Sequence, residues 1–307
     1  MTEAKKAIEL KNKARIIDGK ALAQNIRRGL AEEIAALTRR QGSKPGLATV
    51  LVGADPASAV YVRNKIKACR EIGMETFDHH LPAASSEKEL LTLVGGLSAN
   101  PAVHGILIQQ PLPPQISARK VLEALPDAKD VDGFGVVNSG RFFLARALAD
   151  LEFCFIPCTP YGVLKMIQSV GISLQGRLVC VLGRSSIVGK PLAHLLMLHN
   201  ATVMICHSKT LRLAQMVSQA DIVIAAIGKP KFLTKDMVRP GACVIAVGIN
   251  RLSSGQLVGD CDFESVCEAA AFITPVPGGV GPMTIAMLLS NTVKSWKRPM
   301  PFPRPLP

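Results

Sequence analysis

Tyr61 and Lys65 stand four residues apart in a stretch, Ser58 to Ile72, whose pattern predicts a helix, so both side chains project from one face. A lysine on a surface helix is ordinarily a solvated charge. With a tyrosine one turn away and low-dielectric walls around it, the same amine can have its pKa lowered until it exchanges protons near neutrality. Gln109 ends a predicted strand and is placed to orient that amine; a polar strand terminus is the plainer reading. Asp130-Val131-Asp132-Gly133-Phe134 reads as a turn bearing two carboxylates. It lacks the further ligands of a metal site, and one carboxylate suits the adjacent donors on the edge of an aminopyrimidinone ring.

A second chemical signal is the run Val179 to Pro191, which reads as a strand, a glycine-containing turn and a helix. Gly183 permits the tight turn and Gly189 a close approach of backbone to a pyrophosphate, toward which the helix start would offer unpaired N–H groups. The spacing is not the standard G-x-G-x-x-G, and an ordinary strand-to-helix turn would look similar. The next strand adds weight. It ends in Cys206-His207-Ser208-Lys209-Thr210, with no carboxylate where an NAD enzyme places one on the ribose. Ser208, Lys209 and Arg184 are suited to a 2′-phosphate, which favours NADP over NAD. His207 reads equally well as a surface residue.

Positioning these groups requires parallel strands with helical crossovers. Strands are predicted at Leu47–Gly53, Thr76–Leu81 and Gly105–Gln109, separated by helices at Ser58–Ile72 and Glu87–Leu97, the latter capped by Ser85 or Ser86. The pattern restarts near residue 150. Thr159-Pro160 opens a helix to about Val170, with Thr159 as N-cap. There follow strand Arg177–Leu182, helix Lys190–His199, strand Thr202–Cys206, helix Leu211–Gln219 and strands Asp221–Ile227 and Ala242–Val247. The expected architecture is two α/β domains with a cleft between them, the second a Rossmann-type doubly wound parallel sheet. Residues 1–150 form the first domain, completed by a C-terminal helix over 283–298; residues 151–282 form the second, and 299–307 a Pro-rich tail.

Composition fits this plan. The 307 residues are 48% hydrophobic and 19% charged, which excludes a disordered chain, and only 4% aromatic. The net charge of +13 is spread along the chain without a nucleic-acid-binding module, so anionic small molecules account for its sign and no nucleic acid is expected. Eight cysteines without a metal-ligand spacing read as reduced thiols in a cytoplasmic protein, and no metal is expected. Met1 to Arg15 lacks the apolar core of a signal peptide, and no apolar run is long enough to span a membrane.

Six segments in order resemble the motif series of the bifunctional methylenetetrahydrofolate dehydrogenase/methenyltetrahydrofolate cyclohydrolase family. They are Ser58-Ala59-Val60-Tyr61-Val62-Arg63-Asn64-Lys65, Gln109-Gln110-Pro111-Leu112-Pro113, Lys129 to Phe134, Pro157-Cys158-Thr159-Pro160, Gly183-Arg184-Ser185 to Pro191, and Thr274-Pro275-Val276-Pro277-Gly278-Gly279-Val280-Gly281-Pro282-Met283-Thr284. The match runs from about Ile17 to Trp296. The resemblance implies NADP-dependent oxidation of 5,10-methylene-tetrahydrofolate to 5,10-methenyl-tetrahydrofolate, then hydrolysis to 10-formyl-tetrahydrofolate in the same cleft.

It implies Lys65 as the principal catalytic residue, with Tyr61 and Gln109 positioning it and the folate. Asp132 would hold the pterin, and Pro277, Gly278 and Gly281 would complete the substrate site where cofactor and folate meet. The implied cofactor set is Gly183, Arg184, Ser185, Ser186, Val188 and Gly189, joined by His207, Ser208 and Ile249. A homodimer and polyglutamylated folates are implied as partners. Two residues depart from the family pattern: Ala246, where an Asp is common, and Gln110, where a Leu is usual. A two-lobed NADP dehydrogenase acting on a small keto acid would share the cofactor lobe but leave the carboxylate turn unexplained. A non-catalytic folate or nucleic-acid binder would leave Tyr61, Lys65 and Gln109 without a purpose.

Overall fold

The protein is described here by a computed structural model that covers residues 14–297. The N-terminal extension before Ala14 and the Pro-rich tail lie outside the described residues. The chain forms two compact units. One comprises Gln24–Cys158 with the residues from Ile285 onward; the other comprises the residues up to Ala23 with Thr159–Thr284. They are termed here the lysine-bearing and the phosphate-loop unit.

Strand β1 (Arg15–Ile16) pairs in parallel with a strand near the end of the phosphate-loop unit, Arg15 opposite Phe272. The first domain therefore does not contain these residues, contrary to the 1–150 boundary that the sequence predicts. Helix α1 (Gly19–Gln41) follows, opened by Asp18, whose Oδ1 accepts the Ala21 N–H at 2.9 Å as an N-cap.

The lysine-bearing unit continues with β2 (Gly46–Val52), α2 (Pro56–Glu71), β3 (Glu75–Leu81), α3 (Glu87–Ala99), β4 (Gly105–Ile108), α4 (Ala118–Glu123) and α5 (Val136–Leu144). Its sheet is parallel, in the order β3-β2-β4, and every residue of the central strand β2 is buried. That is why Gly46 to Val52 reads as a nearly continuous apolar run. Val50, Ile106 and Ile108 meet Leu90 and Val94 of α3 in one core cluster. Helix α2 starts two residues before the expected Ser58 because Asp55 caps it, accepting the Ser58 N–H at 2.7 Å, and Pro56 occupies its first turn. Of the two candidate caps of α3, Ser86 is the one used, in a reciprocal capping box with Glu89.

The phosphate-loop unit contains α6 (Cys158–Ser169, its first residue shared with the other unit), β5 (Leu178–Leu182), α7 (Gly189–Leu198), β6 (Thr202–Cys206), α8 (Leu213–Val217), β7 (Ile222–Ala225), β8 (Cys243–Ala246), β9 (Ile249–Arg251), β10 (Leu257–Gly259), α9 (Phe263–Cys267) and β11 (Phe272–Ile273). Six parallel strands line up as β1-β11-β8-β7-β5-β6, and β9 pairs with β10 in a separate antiparallel ribbon. The order reverses at β5, the mark of a doubly wound sheet, so the crevice at the carboxyl ends of β5 and β7 is the topological switch point. Helix α6 starts at Cys158, and Thr159 lies within it, its hydroxyl paired with that of Thr284 at 3.0 Å. Helix α10 (Val280–Lys297) begins three residues before the expected Met283, because Pro282 is tolerated in a first turn whose N–H groups need no helical partner.

The β2–β4 register, which sets where Gln109 emerges, is pinned by a reciprocal contact. His104 N donates to Gly46 O at 2.8 Å, and Gly46 N donates to His104 Nδ1 at 3.0 Å. The second bond requires a neutral ring, and burial, reinforced by the Lys129 charge, holds the His104 pKa below its usual 6.5. The unfolded chain therefore binds this proton more readily than the folded one. The contribution is complete above pH 6.5 and is lost as pH falls through the folded value. The urea midpoint should fall between pH 7 and pH 5, and it should fall less in His104→Gln, whose amide oxygen accepts without titrating; an identical pH slope in both proteins would refute this role.

Candidate active site and cofactor loop

Helix α2 carries Lys65 into the interior, where it is 8% exposed. Its Nζ donates to Gln109 Oε1 at 3.1 Å. The Gln109 amide is itself oriented, since its Nε2 donates to Gln110 O at 2.6 Å and leaves the oxygen for the lysine. The Gln109 backbone N–H still donates to Val50 O at 2.9 Å, so the residue extends the sheet by one bond beyond β4. Tyr61, one turn before Lys65, stays 36% exposed, and burial of its hydroxyl raises its pKa above 10, which keeps it neutral. A protonated lysine has three N–H donors; one is committed to Gln109 and two remain for a substrate.

Asp130 and Asp132 have separate tasks. Asp130 is 1% exposed and accepts backbone N–H groups from Gly133 at 3.2 Å, Phe134 at 3.2 Å and Gly135 at 2.7 Å. Burial pushes its carboxyl up to about 7 against the pull of those donors, with the neighbouring Asp132 charge adding to the rise. Gly133, at φ 78°, supplies the left-handed backbone that the turn needs. Asp132 is only half-buried, which leaves it as the carboxylate able to meet a ligand. Among the described residues no group of three or more His, Cys, Asp or Glu side chains gathers to hold a metal.

In the phosphate-loop unit, Gly183 follows β5 at φ 126°, in the left-handed region, and a side chain there would strike the Ala226 carbonyl beyond β7. The turn therefore sits at the switch point. Gly189, which opens α7, packs so closely on the Gly183 carbonyl that a Cβ would collide with it. The helix start differs from expectation. Its N–H groups are not all left open: Ser185 Oγ accepts from Val188 at 3.1 Å and from Gly189 at 3.3 Å, and Ser185 O accepts from Lys190 at 3.0 Å. Arg184, Ser185, Ser186 and Ser208 are exposed, and Val188 is half-buried. His207 braces its own turn: its backbone N–H donates to Thr210 Oγ1 at 2.9 Å and its Nδ1 accepts the Lys209 N–H at 3.2 Å. No carboxylate follows β6. Ile249 lies on β9, 37% exposed.

Of the residues expected on the substrate, Lys65 and Gln109 are in contact, with Tyr61 one turn away on α2 and Asp132 in the same unit. Pro277, Gly278 and Gly281 belong to the phosphate-loop unit, where Gly278 O accepts the Lys20 N–H at 2.9 Å. The two departures from the family pattern fare differently. Ala246 is buried, and its N–H donates to Thr274 Oγ1 at 2.7 Å. Gln110 has a buried Nε2 for which no hydrogen-bond partner is found among the described residues.

Two family models cover most of this chain: the tetrahydrofolate dehydrogenase/cyclohydrolase catalytic domain matches residues 17–132 and its NAD(P)-binding domain matches 157–300. The chain belongs to this family. It is 54% identical to the bifunctional protein FolD of a Polaromonas species over 93% of this chain and 99% of that protein. Among solved structures it resembles the Campylobacter jejuni FolD methylenetetrahydrofolate dehydrogenase/cyclohydrolase, with TM-score 0.88 and 46% identity over 92% and 99% of the two chains. The Trypanosoma brucei enzyme, solved with NADP and an inhibitor, gives TM-score 0.88 and 39% identity over 93% and 98%.

Residue 130 provides a direct test of the turn. Asp130→Ala removes the acceptor of the Phe134 and Gly135 N–H groups, while the Gly133 N–H keeps its bond to Asp130 O, and should cost about 2–4 kcal/mol in urea unfolding, whereas Asp130→Asn, which keeps an acceptor oxygen, should lose less. Equal losses in the two variants would show that the carboxylate oxygens are not what holds the turn.

Proposed function

We propose that this chain is a bifunctional folate enzyme that uses NADP. It oxidises 5,10-methylene-tetrahydrofolate to the 5,10-methenyl form and hydrolyses the product to 10-formyl-tetrahydrofolate. The observation that carries the assignment of residues is the buried Lys65 amine held by the Gln109 carbonyl oxygen at 3.1 Å, one turn from Tyr61.

Asp132 accepts the paired donors of the pterin's aminopyrimidinone edge, and Tyr61 with Gln109 positions the folate and Lys65. The methenyl carbon is electron-poor, so water adds to it once the cation is held still and exposed on one face. Lys65 assists that hydrolysis from its two uncommitted N–H positions, by moving a proton or by stabilising the tetrahedral intermediate. The buried setting of the amine strengthens either effect, because little water competes for it.

The cofactor loop fits a phosphorylated dinucleotide. The turn at Gly183 and the close packing at Gly189 bring backbone to the switch point, and the start of α7 adds its positive dipole end. Arg184 and Ser208 hold the 2′-phosphate, with Ser185, Ser186 and Val188 around the pyrophosphate and His207 and Ile249 beside the nucleotide. When bound, NADP⁺ supplies the hydride acceptor for the oxidation.

Polyglutamylated folates and a homodimer are part of this proposal, as is a cytoplasmic setting. The last is supported by eight cysteines that are all free and buried. Among the described residues no helix is long and apolar enough to cross a membrane.

Lys65→Met should lower cyclohydrolase turnover by about 10²–10⁴-fold, the span for losing a positioned proton-transfer group, measured by decay of methenyl absorbance. Retention of full cyclohydrolase activity would sink the role given to Lys65. Separately, Ser208→Asp should raise KM for NADP⁺ about tenfold or more while sparing NAD⁺, because the new carboxylate repels only the 2′-phosphate; parallel rise of both KM values would mean that Ser208 does not face that group.

A further inference from the structure

The Asp132 carboxylate stands on a peptide that is clamped from one side by two buried polar side chains, neither of which the sequence reading assigned to the site. Asn291, on α10 and 3% exposed, donates from its single amide nitrogen to Val131 O at 2.8 Å and to Ile156 O at 3.0 Å. The Val131 carbonyl belongs to the peptide that ends in the Asp132 nitrogen, so holding it fixes the plane from which Asp132 departs. Cys158, 1% exposed, donates its thiol proton to the same carbonyl at 3.5 Å, and Asn291 Nδ2 lies 3.7 Å from the Cys158 sulfur. These residues all belong to the lysine-bearing unit.

We propose that Asn291 and Cys158 are positioning residues for folate: together they lock the Val131–Asp132 peptide, and with it the direction in which the Asp132 carboxylate leaves the backbone. The thiol proton goes to the Val131 carbonyl. Burial holds the thiol pKa well above 9, the neighbouring Asp132 charge adds to that rise, and the Lys65 charge opposes it. Cys158 is thus a permanent proton donor and not a nucleophile. Asn291 would be hard to replace. A hydrophobic residue leaves two buried carbonyls short of a donor, and aspartate brings no N–H at all.

This inference rests on Asp132 as the pterin-binding residue, and the variants separate the two claims. Asp132→Ala should raise KM for methylene-tetrahydrofolate; if it does not, the role of Asp132 itself fails. Given that rise, Cys158→Ala should raise the folate KM about three- to tenfold, the value of one hydrogen bond between neutral groups. It should leave KM for NADP⁺ unchanged. Cys158→Ser, which keeps a proton to donate, should stay within about twofold of the parent. Asn291→Ser should raise the folate KM about tenfold or more. Should Asn291→Ser fail to fold, the Cys158 pair alone decides the matter. A purely structural role would lower the melting temperature and the active fraction while leaving the folate KM in place. That result in Cys158→Ala, or equal impairment of Cys158→Ala and Cys158→Ser, would overturn the proposal.

Discussion

A lysine amine that is 8% exposed must find an acceptor inside the protein, and here the acceptor is a glutamine from a strand 44 residues further on. Much of the lysine-bearing unit can be read as the means of making that meeting dependable. Strand β2 pairs with β4 in a fixed register, held at its start by the reciprocal contact of Gly46 with His104 and at its end by Val50 with Gln109. Helix α2 is launched by the Asp55 cap, which sets where its third turn falls and hence where Lys65 points. The core of Val50, Leu90, Val94 and Ile106 holds the sheet against α3. The cost of stranding a buried amine makes this arrangement strongly preferred over alternatives in which the two side chains miss each other.

Parallel sheets gather their loops at the carboxyl ends of the strands, and both units use that property. Gln109 follows β4, and the Gly183 turn follows β5. The loops are held by buried polar groups that spend their hydrogen bonds on backbone. Asp130 takes three N–H groups of its turn, Asn138 pairs with both the N–H and the carbonyl of Phe155, and Asp260 accepts from Ile227 and Gly228 after β7. Each replaces with protein atoms the water that the loop has lost. A loop fixed in this manner keeps its shape without a ligand, which is what a site that must hold two reacting molecules still requires.

Legibility in the sequence followed the range of the interactions. The alternation of strands and helices from Gly46 onward was readable because burial imposes period and composition locally, and Tyr61 with Lys65 could be paired because a helix face depends only on spacing. That Gln109 meets Lys65 was reachable only by assuming a parallel sheet. The membership of β1 in the distant sheet left no local mark, since two residues carry no period. Asn291 was silent, and Cys158 stood in a motif segment without a role, for a related reason. An asparagine in a helix and a cysteine between two prolines do not announce a task, and theirs arises from carbonyls at positions 131 and 156, fixed by tertiary structure alone. The long helix α1 is different: its Asp18 cap and apolar spacing were there to be read.

The Ser185 hydroxyl that takes the N–H groups of Val188 and Gly189 gives the cofactor loop an internal stand-in for an anion. A phosphate oxygen arriving at those groups would displace an alcohol and not bulk water, so the first contacts are an exchange of one acceptor for another. Such an exchange trades a neutral acceptor for a charged and stronger one, and the loop need not be reorganised from a disordered state to make it. Selectivity would then reside in what the hydroxyl cannot imitate: two negative charges in succession, at the spacing of a diphosphate. The loop is in effect a lock kept open by a blank key, whose removal leaves the wards where they were.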